Sequence, residues 1–477
     1  MSKESQSSSN YSSYFILFLV FLVGFAIWHI PIPEGLNAQG WHLFAIFVAT
    51  IIGIIFTPLP TSAMALLSLT ASILTGTITI QDGLSEFSSY IIWLVVFSFF
   101  ISRAVIKSGL GSRIGYYFVA LLGKKTLGLS YGLTLCELIL APVIPSNTAR
   151  SGGVILPILR GLAQAYDSKP NDKSSQKIGA YLTQGVFQTG VVISGMFLTS
   201  MAANPLAAKI AGEAFGLKIT WGLWFQAAIV PGLICLILTP LFLYKFYPPE
   251  LKETPEAQSL SWKKLEEMGK LKKDEWITAG GFLLLILLWG FGNRFGIHAT
   301  TAALVGLCLF LVTRTLTWSD IQKESGAWDT LVWLSILVML ANFLNKYGVI
   351  TWFSSHLNFI VDQYPWYTAF VILAIIYFYS HYFFASNTAH LSAMYATFVG
   401  IAISCGAPPM IAALSFAFMS NMFGGLTHYS TGPAAVLYSV GFCSLKDWWK
   451  FGFLVSIINL IVFLGIGPIW WKILGLW

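Results

Sequence analysis

The chain has 477 residues, 56% of them hydrophobic and only 10% charged, and it carries a net charge of +7. A water-facing surface needs far more charge than that, so a soluble enzyme or a soluble nucleic-acid-binding protein is excluded and a membrane protein is expected. From the N-terminus, the stretch MSKESQSSSNYSSY holds one Lys and one Glu, and no small-residue cleavage site follows the first apolar run. Residues 1–13 are therefore expected as a disordered cytoplasmic tail before a retained helix, rather than a signal or transit peptide.

Apolar runs then recur at 15–30, 43–56, 91–101, 224–243, 277–291, 302–312, 331–344 and 451–464. A crossing takes about 20 residues, so several of these span a bilayer once their flanks are counted. The fold expected is an all-α polytopic membrane protein with about 11 transmembrane helices. Its N-terminus is expected in the cytoplasm, because every Lys and Arg except Lys209, Lys218, Arg294, Lys346, Lys472 and the intramembrane Arg150 then falls inside. Cys136, Cys235, Cys308, Cys405 and Cys443 lie scattered in or beside apolar segments, which fits helix packing and neither a disulfide framework nor a metal site.

The one long polar segment, 248–275, divides two halves that echo each other. Trp93 in Ile-Ile-Trp-Leu returns as Trp333 in Leu-Val-Trp-Leu, and Ser146-Asn147-Thr148-Ala149 returns as Ser386-Asn387-Thr388-Ala389, both 240 residues later. Five crossings are expected between the two tripeptides, over 178–212, 222–245, 277–293, 298–313 and 329–345. An odd number turns the second half upside down, the inverted-repeat plan of many secondary transporters. The organisation expected is a tail at 1–13, a first helix plus repeat one at 14–246, a cytoplasmic linker at 247–276 and repeat two at 277–477. Each repeat holds a re-entrant hairpin (about 127–162 and 366–404) and a broken helix (about 178–212 and 408–438).

Chemistry is expected at the hairpin tips. Pro142 and Pro145 stop the incoming arm, and the return arm at 154–162 is too short to cross. Ser, Asn and Thr cap helix N-termini well, and a cap aimed into a cavity presents N–H groups and a positive helix end to an anion. Ser146, Asn147, Thr148, Ser386, Asn387 and Thr388 are the primary candidates. In each broken helix, hydroxyl residues precede a proline within apolar sequence, which adds Thr199, Pro205, Thr427 and Pro433, with Thr199 and Thr427 taken as equivalent.

The paired tripeptides, each followed by a broken helix ending in proline, resemble the divalent anion:sodium symporter (DASS, or INDY) family from about residue 40 to the end. The run from Ser146 to Pro157 with Ser168-Lys-Pro-Asn-Asp172 is similar to the branch of plastid 2-oxoglutarate/malate translocators and bacterial citrate/succinate and tartrate/succinate antiporters. The resemblance implies a homodimer in a bacterial inner membrane that moves a substrate-carrying part against a scaffold, elevator-like, and tips that contact carboxylates. Ser194-Gly195 stands where sodium-coupled members carry two glycines. Arg150 and His390 stand at matched positions just past the tips, where those members carry small or hydroxyl residues.

An intramembrane charge is costly and so is a functional hypothesis. Arg150, and His390 when protonated, are expected to supply the positive charge that sodium supplies elsewhere, giving sodium-independent exchange of di- and tricarboxylates of the 2-oxoglutarate, malate, succinate and citrate class. A sodium-coupled dicarboxylate symporter of the same fold is the alternative, and pairing of Arg150 with Glu137 is the structural reading of that arginine. No cofactor, metal or nucleic acid is expected, and no catalytic residue: His381, Glu137 and His428 show no ligand spacing such as His-Glu-x-x-His.

Overall fold

The computed structural model describes residues 3–352 and 365–477; residues 1–2 of the expected tail and 353–364 of the expected second repeat lie outside them. The protein is an all-α polytopic membrane protein. Among the described residues, seven helices are long and apolar enough to cross a bilayer: Ala38–Phe56, Tyr90–Ser108, Trp221–Phe246, Lys273–Phe291, Ser325–Lys346, Trp366–Phe383 and Leu445–Ile473. Shorter apolar helices such as Thr61–Leu74, Leu110–Leu122 and Ala299–Val312 lie among them. The first helix runs Lys3–His29 and takes in residues 3–13, expected as a tail; neither Pro nor Gly interrupts the chain before Gly24, so nothing local stops the apolar helix from extending back.

Two packed cores are present. The larger gathers most of the bundle, including Leu133, Val192, Trp224, Phe418 and Trp471. The smaller joins Val20, Leu43, Phe47 and Met64 of the N-terminal helices to Leu337, Leu340 and Phe343 of Ser325–Lys346. Lipid tails are as apolar as these side chains, so close packing rather than water exclusion holds such helices together.

The expected interruptions are where the polar chemistry lies. Thr126–Leu140 stops just before Pro142, Ser146 caps the short helix Asn147–Arg150, and a π-helical turn at Ser151–Ile155 leads into Leu156–Ala165. In the second half Trp366–Tyr379 tightens into a 3-10 turn at Ser380–Phe383, and Ser386 caps Asn387–Ser404. Gly179–Met196 breaks over 197–202 and resumes as Ala203–Phe215; Pro409–Met422 breaks after Gly425 and resumes as Gly432–Tyr438.

Both breaks are closed by the same bonds. Ser200 Oγ donates to the carbonyls of Ser194 (2.5 Å) and Phe197 (2.7 Å), and Ser430 Oγ donates to those of Gly424 (2.5 Å) and Thr427 (2.8 Å). These satisfy carbonyls that the lost helical turns set free. The bonds relate the two breaks by 230 residues, which corrects the expected equivalence of Thr199 and Thr427. Ser200 matches Ser430, and Thr199 matches Tyr429. The prolines misled the alignment because Pro433 starts its half-helix at the position of Ala203, not of Pro205.

The polar linker is not a loose tether. It forms the helix Pro255–Met268, and Arg113 holds its end by donating to Glu275 (2.6 Å) and to the carbonyl of Gly269 (2.9 Å).

Candidate functional site

Each tip builds the same local frame. The amide of Ala149 donates to Ser146 Oγ at 3.1 Å and that of Ala389 to Ser386 Oγ at 3.3 Å, as N-caps require. The two tips, which are 240 residues apart in sequence, then meet. A cavity of about 200 Å³ is lined by Ser146 and Asn147 from the first tip and by Ser386, Asn387 and Thr388 from the second. The breaks contribute Met201, Ala202, Thr431 and Gly432, while Phe99, Thr330 and Trp333 close the remaining wall. Close approach here depends on small residues: a Cβ on Gly432 would lie 2.3 Å from Thr148 Oγ1, and one on Gly424 would lie 2.9 Å from Asn387 Nδ2.

The expected site residues divide accordingly. Ser146, Asn147, Ser386, Asn387 and Thr388 line the cavity, whereas Thr148 sits against Gly432. Thr199, Pro205, Thr427 and Pro433 are not among its lining residues. Thr199 donates to the carbonyl of Pro142 (2.5 Å) and accepts from Trp221 Nε1 (3.1 Å), so it ties the first break to the first hairpin. Pro205 and Pro433 begin the resumed half-helices, Pro433 at their first turn, where a missing N–H costs nothing. Thr427 Oγ1 is buried with no hydrogen-bond partner among the described residues.

Arg150 and His390 lie behind the tips, not on the cavity wall. Arg150 is 0% exposed. Its Nη1 donates to the carbonyls of Ile144 (2.5 Å) and Ser200 (2.6 Å), its Nη2 donates to Ser194 Oγ (2.9 Å), and its Nε lies 3.5 Å from Glu137 Oε1. The guanidinium fork thus pins tip, break and incoming arm together. Gly190 leaves the room that Glu137 needs, since a Cβ there would meet both carboxylate oxygens at 3.2 Å.

His390 stacks between Phe384 and Phe423, with ring centroids at 4.5 and 4.4 Å. Its Nδ1 lies 3.1 Å from His381 Nδ1 and its Nε2 lies 3.0 Å from Ser380 Oγ. His381 Nε2 in turn reaches the carbonyl of Ser430 at 3.1 Å, the counterpart of the Ser200 carbonyl held by Arg150. Sequence reasoning passed over His381 because it sought metal spacing, not a partner. It also missed Met201 and Trp333, although the repeat of Trp93 as Trp333 marked that position.

The two broken helices are joined directly beside their breaks, with Asn421 Nδ2 donating to Asn204 Oδ1 at 2.7 Å. The arrangement offers two amide-bearing tips around one small cavity, with hydroxyls at the rim and no free carboxylate among the lining residues. Such a site suits a small anion.

Comparisons with known proteins agree with this chemistry. Residues 10–477 match the family described as "Sodium:sulfate symporter transmembrane region". YflS of Bacillus subtilis, provisionally described as a malate transporter, is 54% identical over 455 residues, covering 95% of each chain. The chloroplastic dicarboxylate transporter 1 of Spinacia oleracea is 48% identical over 96% of this chain and 80% of its own. The citrate/succinate antiporter of Escherichia coli is 33% identical over 94% of this chain and 95% of its own. Among solved structures, the YdaH transporter of Alcanivorax borkumensis shares the fold at a TM-score of 0.54, with 10% identity and 98% coverage of both chains.

Proposed function

The chain belongs to the sodium:sulfate symporter transmembrane family, and from that premise we propose that it exchanges small dicarboxylates across a bacterial inner membrane without sodium. The observation that carries the reading is the convergence of Asn147 and Asn387, one from each tip, on a single cavity. Amide N–H groups and helix N-termini stabilise carboxylate oxygens, and related transporters are named for malate, dicarboxylates and citrate/succinate. Exchange, rather than one-way uptake, fits the antiporter relative.

Sodium independence is supported by Arg150. A cation that gathers backbone carbonyls between a hairpin tip and a broken helix is already built into the chain, on Ile144 and Ser200. Because Glu137 accompanies it, Arg150 adds no net charge to the empty carrier. The barrier to returning empty rests instead on tip amides left without a carboxylate, which makes exchange obligatory. The halves work as inverted repeats, with Thr148, Thr199, Pro205, Thr427 and Pro433 positioning the cavity wall and His390 acting from behind it. The substrate-carrying part moves elevator-like within a homodimer, and the N-terminus faces the cytoplasm.

A sodium-coupled symporter is the second reading, and one observation favours it: Asn387 Oδ1 and Thr427 Oγ1 are buried without hydrogen-bond partners among the described residues. Proteoliposomes decide between the two. Uptake of labelled malate that requires internal dicarboxylate and ignores sodium supports exchange. Accumulation in vesicles without internal dicarboxylate, driven by a sodium gradient, overturns it.

A further inference from the structure

The cavity wall between the two tips carries an unexpected side chain. Met201 belongs to the first break, at 8% exposure, and lines the cavity beside both tips. Asn147 Nδ2 and Asn387 Nδ2 each lie 4.0 Å from its Sδ. A thioether is a weak acceptor, so two amides from opposite halves of the chain aim at one poor partner. Asn387 has only one other contact for that group, the carbonyl of Asn421 at 3.4 Å, and its Oδ1 has none among the described residues.

The counterpart of Met201 in the second break is Thr431, which lines the same cavity with a much shorter side chain. The residues that follow them, Ala202 and Gly432, are small. The space between the two amides is therefore set by the length of one flexible residue. Methionine is unbranched and adapts its shape to what lies beside it, so it tolerates a slim ligand while filling the volume a side branch would need.

Resting on the carboxylate reading above, we infer that Met201 is the specificity-determining residue of the site: it reserves the cavity for unbranched dicarboxylates and bars a third carboxylate on the middle carbon. Replacing it with alanine removes as many heavy atoms as a carboxylate group contains. The vacated space then lies where both asparagine amides already point, and an anionic oxygen placed there receives two good donors in place of sulfur's weak acceptance. Cavities of this kind discriminate by volume modestly, and far more strongly when a polar group gains or loses partners.

The test uses the full-length protein in proteoliposomes loaded with malate, with uptake of labelled malate competed by external citrate. The native protein is expected to be inhibited by citrate at least about tenfold more weakly than by malate. Met201→Ala is expected to strengthen citrate inhibition about tenfold relative to the KM for malate. Met201→Leu, similar in bulk and without sulfur, is expected to keep native discrimination. Met201→Phe overfills the gap and raises the KM for the five-carbon 2-oxoglutarate more than for malate.

Three results overturn the inference: native protein that takes citrate as well as malate, Met201→Ala with unchanged citrate inhibition, or Met201→Leu that admits citrate as Met201→Ala does. If Met201→Ala does not reach the vesicles folded, Met201→Phe decides, and an equal effect on both acids counts against the inference. A native protein that exchanges no dicarboxylate at all sinks the carboxylate reading itself, an outcome separate from any failure of the variants.

Discussion

The two tips share a tripeptide, a serine cap and a partner carbonyl, yet what stands behind them differs in kind. Behind the first, Arg150 faces Glu137, and Gly190 leaves space for the carboxylate. Behind the second, the residue matching Glu137 is Tyr377, whose ring lies 4.8 Å from that of His390, and the residue matching Gly190 is Ser420, which bonds the Tyr377 hydroxyl at 2.7 Å. One half thus fixes its tip with a permanent, compensated charge, and the other with a pair of imidazoles inside an aromatic cage. The same backbone geometry can be held by either chemistry, and only the first must keep both partners to survive.

The largest effect tests that asymmetry. Glu137→Leu leaves a guanidinium buried without its carboxylate, which is expected to cost about 3–5 kcal/mol and to abolish exchange. The double variant Glu137→Leu/Arg150→Leu is expected to regain part of the lost stability, less the cost of the Ile144 and Ser200 carbonyls that lose their donor, without regaining exchange, as read by thermal aggregation of detergent-solubilised protein. A double variant as unstable as the single one would remove the distinction drawn between the tips.

Next come the cavity amides. Asn147→Ala and Asn387→Ala are each expected to raise the KM for malate by more than about tenfold, with thermal stability near that of the native protein. Similar losses at both would show that the tips share the substrate although their backing differs; a loss at only one would make the comparison functional as well as structural. His390→Phe keeps the stacking but leaves His381 Nδ1 without its partner, for an expected loss of about 1–3 kcal/mol. A loss greater than that of Glu137→Leu would reverse the ranking of the two halves.

The smallest effect is a control outside the buried frames. Lys107 Nζ donates to Asp320 at 2.6 Å, bridging the two halves at the surface, and this bond holds the Asp320 carboxyl at about 2, below its ordinary 3.8. A carboxyl lowered in this way stabilises the fold above the ordinary value, and the contribution is lost as pH falls through about 2. With Lys107 43% exposed, solvent screens the pair, and Lys107→Ala is expected to cost less than about 1 kcal/mol at neutral pH.

Much of this was legible in the sequence because the signals were local. Pro142 and Pro145 stop a helix wherever they occur, and a repeated Ser-Asn-Thr marks two caps. What was not legible depended on the folded path. Glu137 and Arg150 lie on different arms of one hairpin, so the sequence offered their pairing only as an alternative and the closed hairpin decides it. The breaks were aligned on their prolines, whereas the register is set by Ser200 and Ser430, whose hydroxyls reach six residues back. Met201 carried no signal of its own, since an apolar residue beside Thr199 and Ser200 reads as packing until two amides are seen to face it.

The bond from Asn421 to Asn204 has a mechanical corollary. It joins the two broken helices beside their interruptions, Asn204 just after the first and Asn421 just before the second. Were the halves to slide past each other, this bond would have to break together with that from Gln188 Nε2 to the Gly425 carbonyl. The half-sites are therefore not two jaws that open independently. They are held together, facing the cavity wall made by Phe99, Thr330 and Trp333.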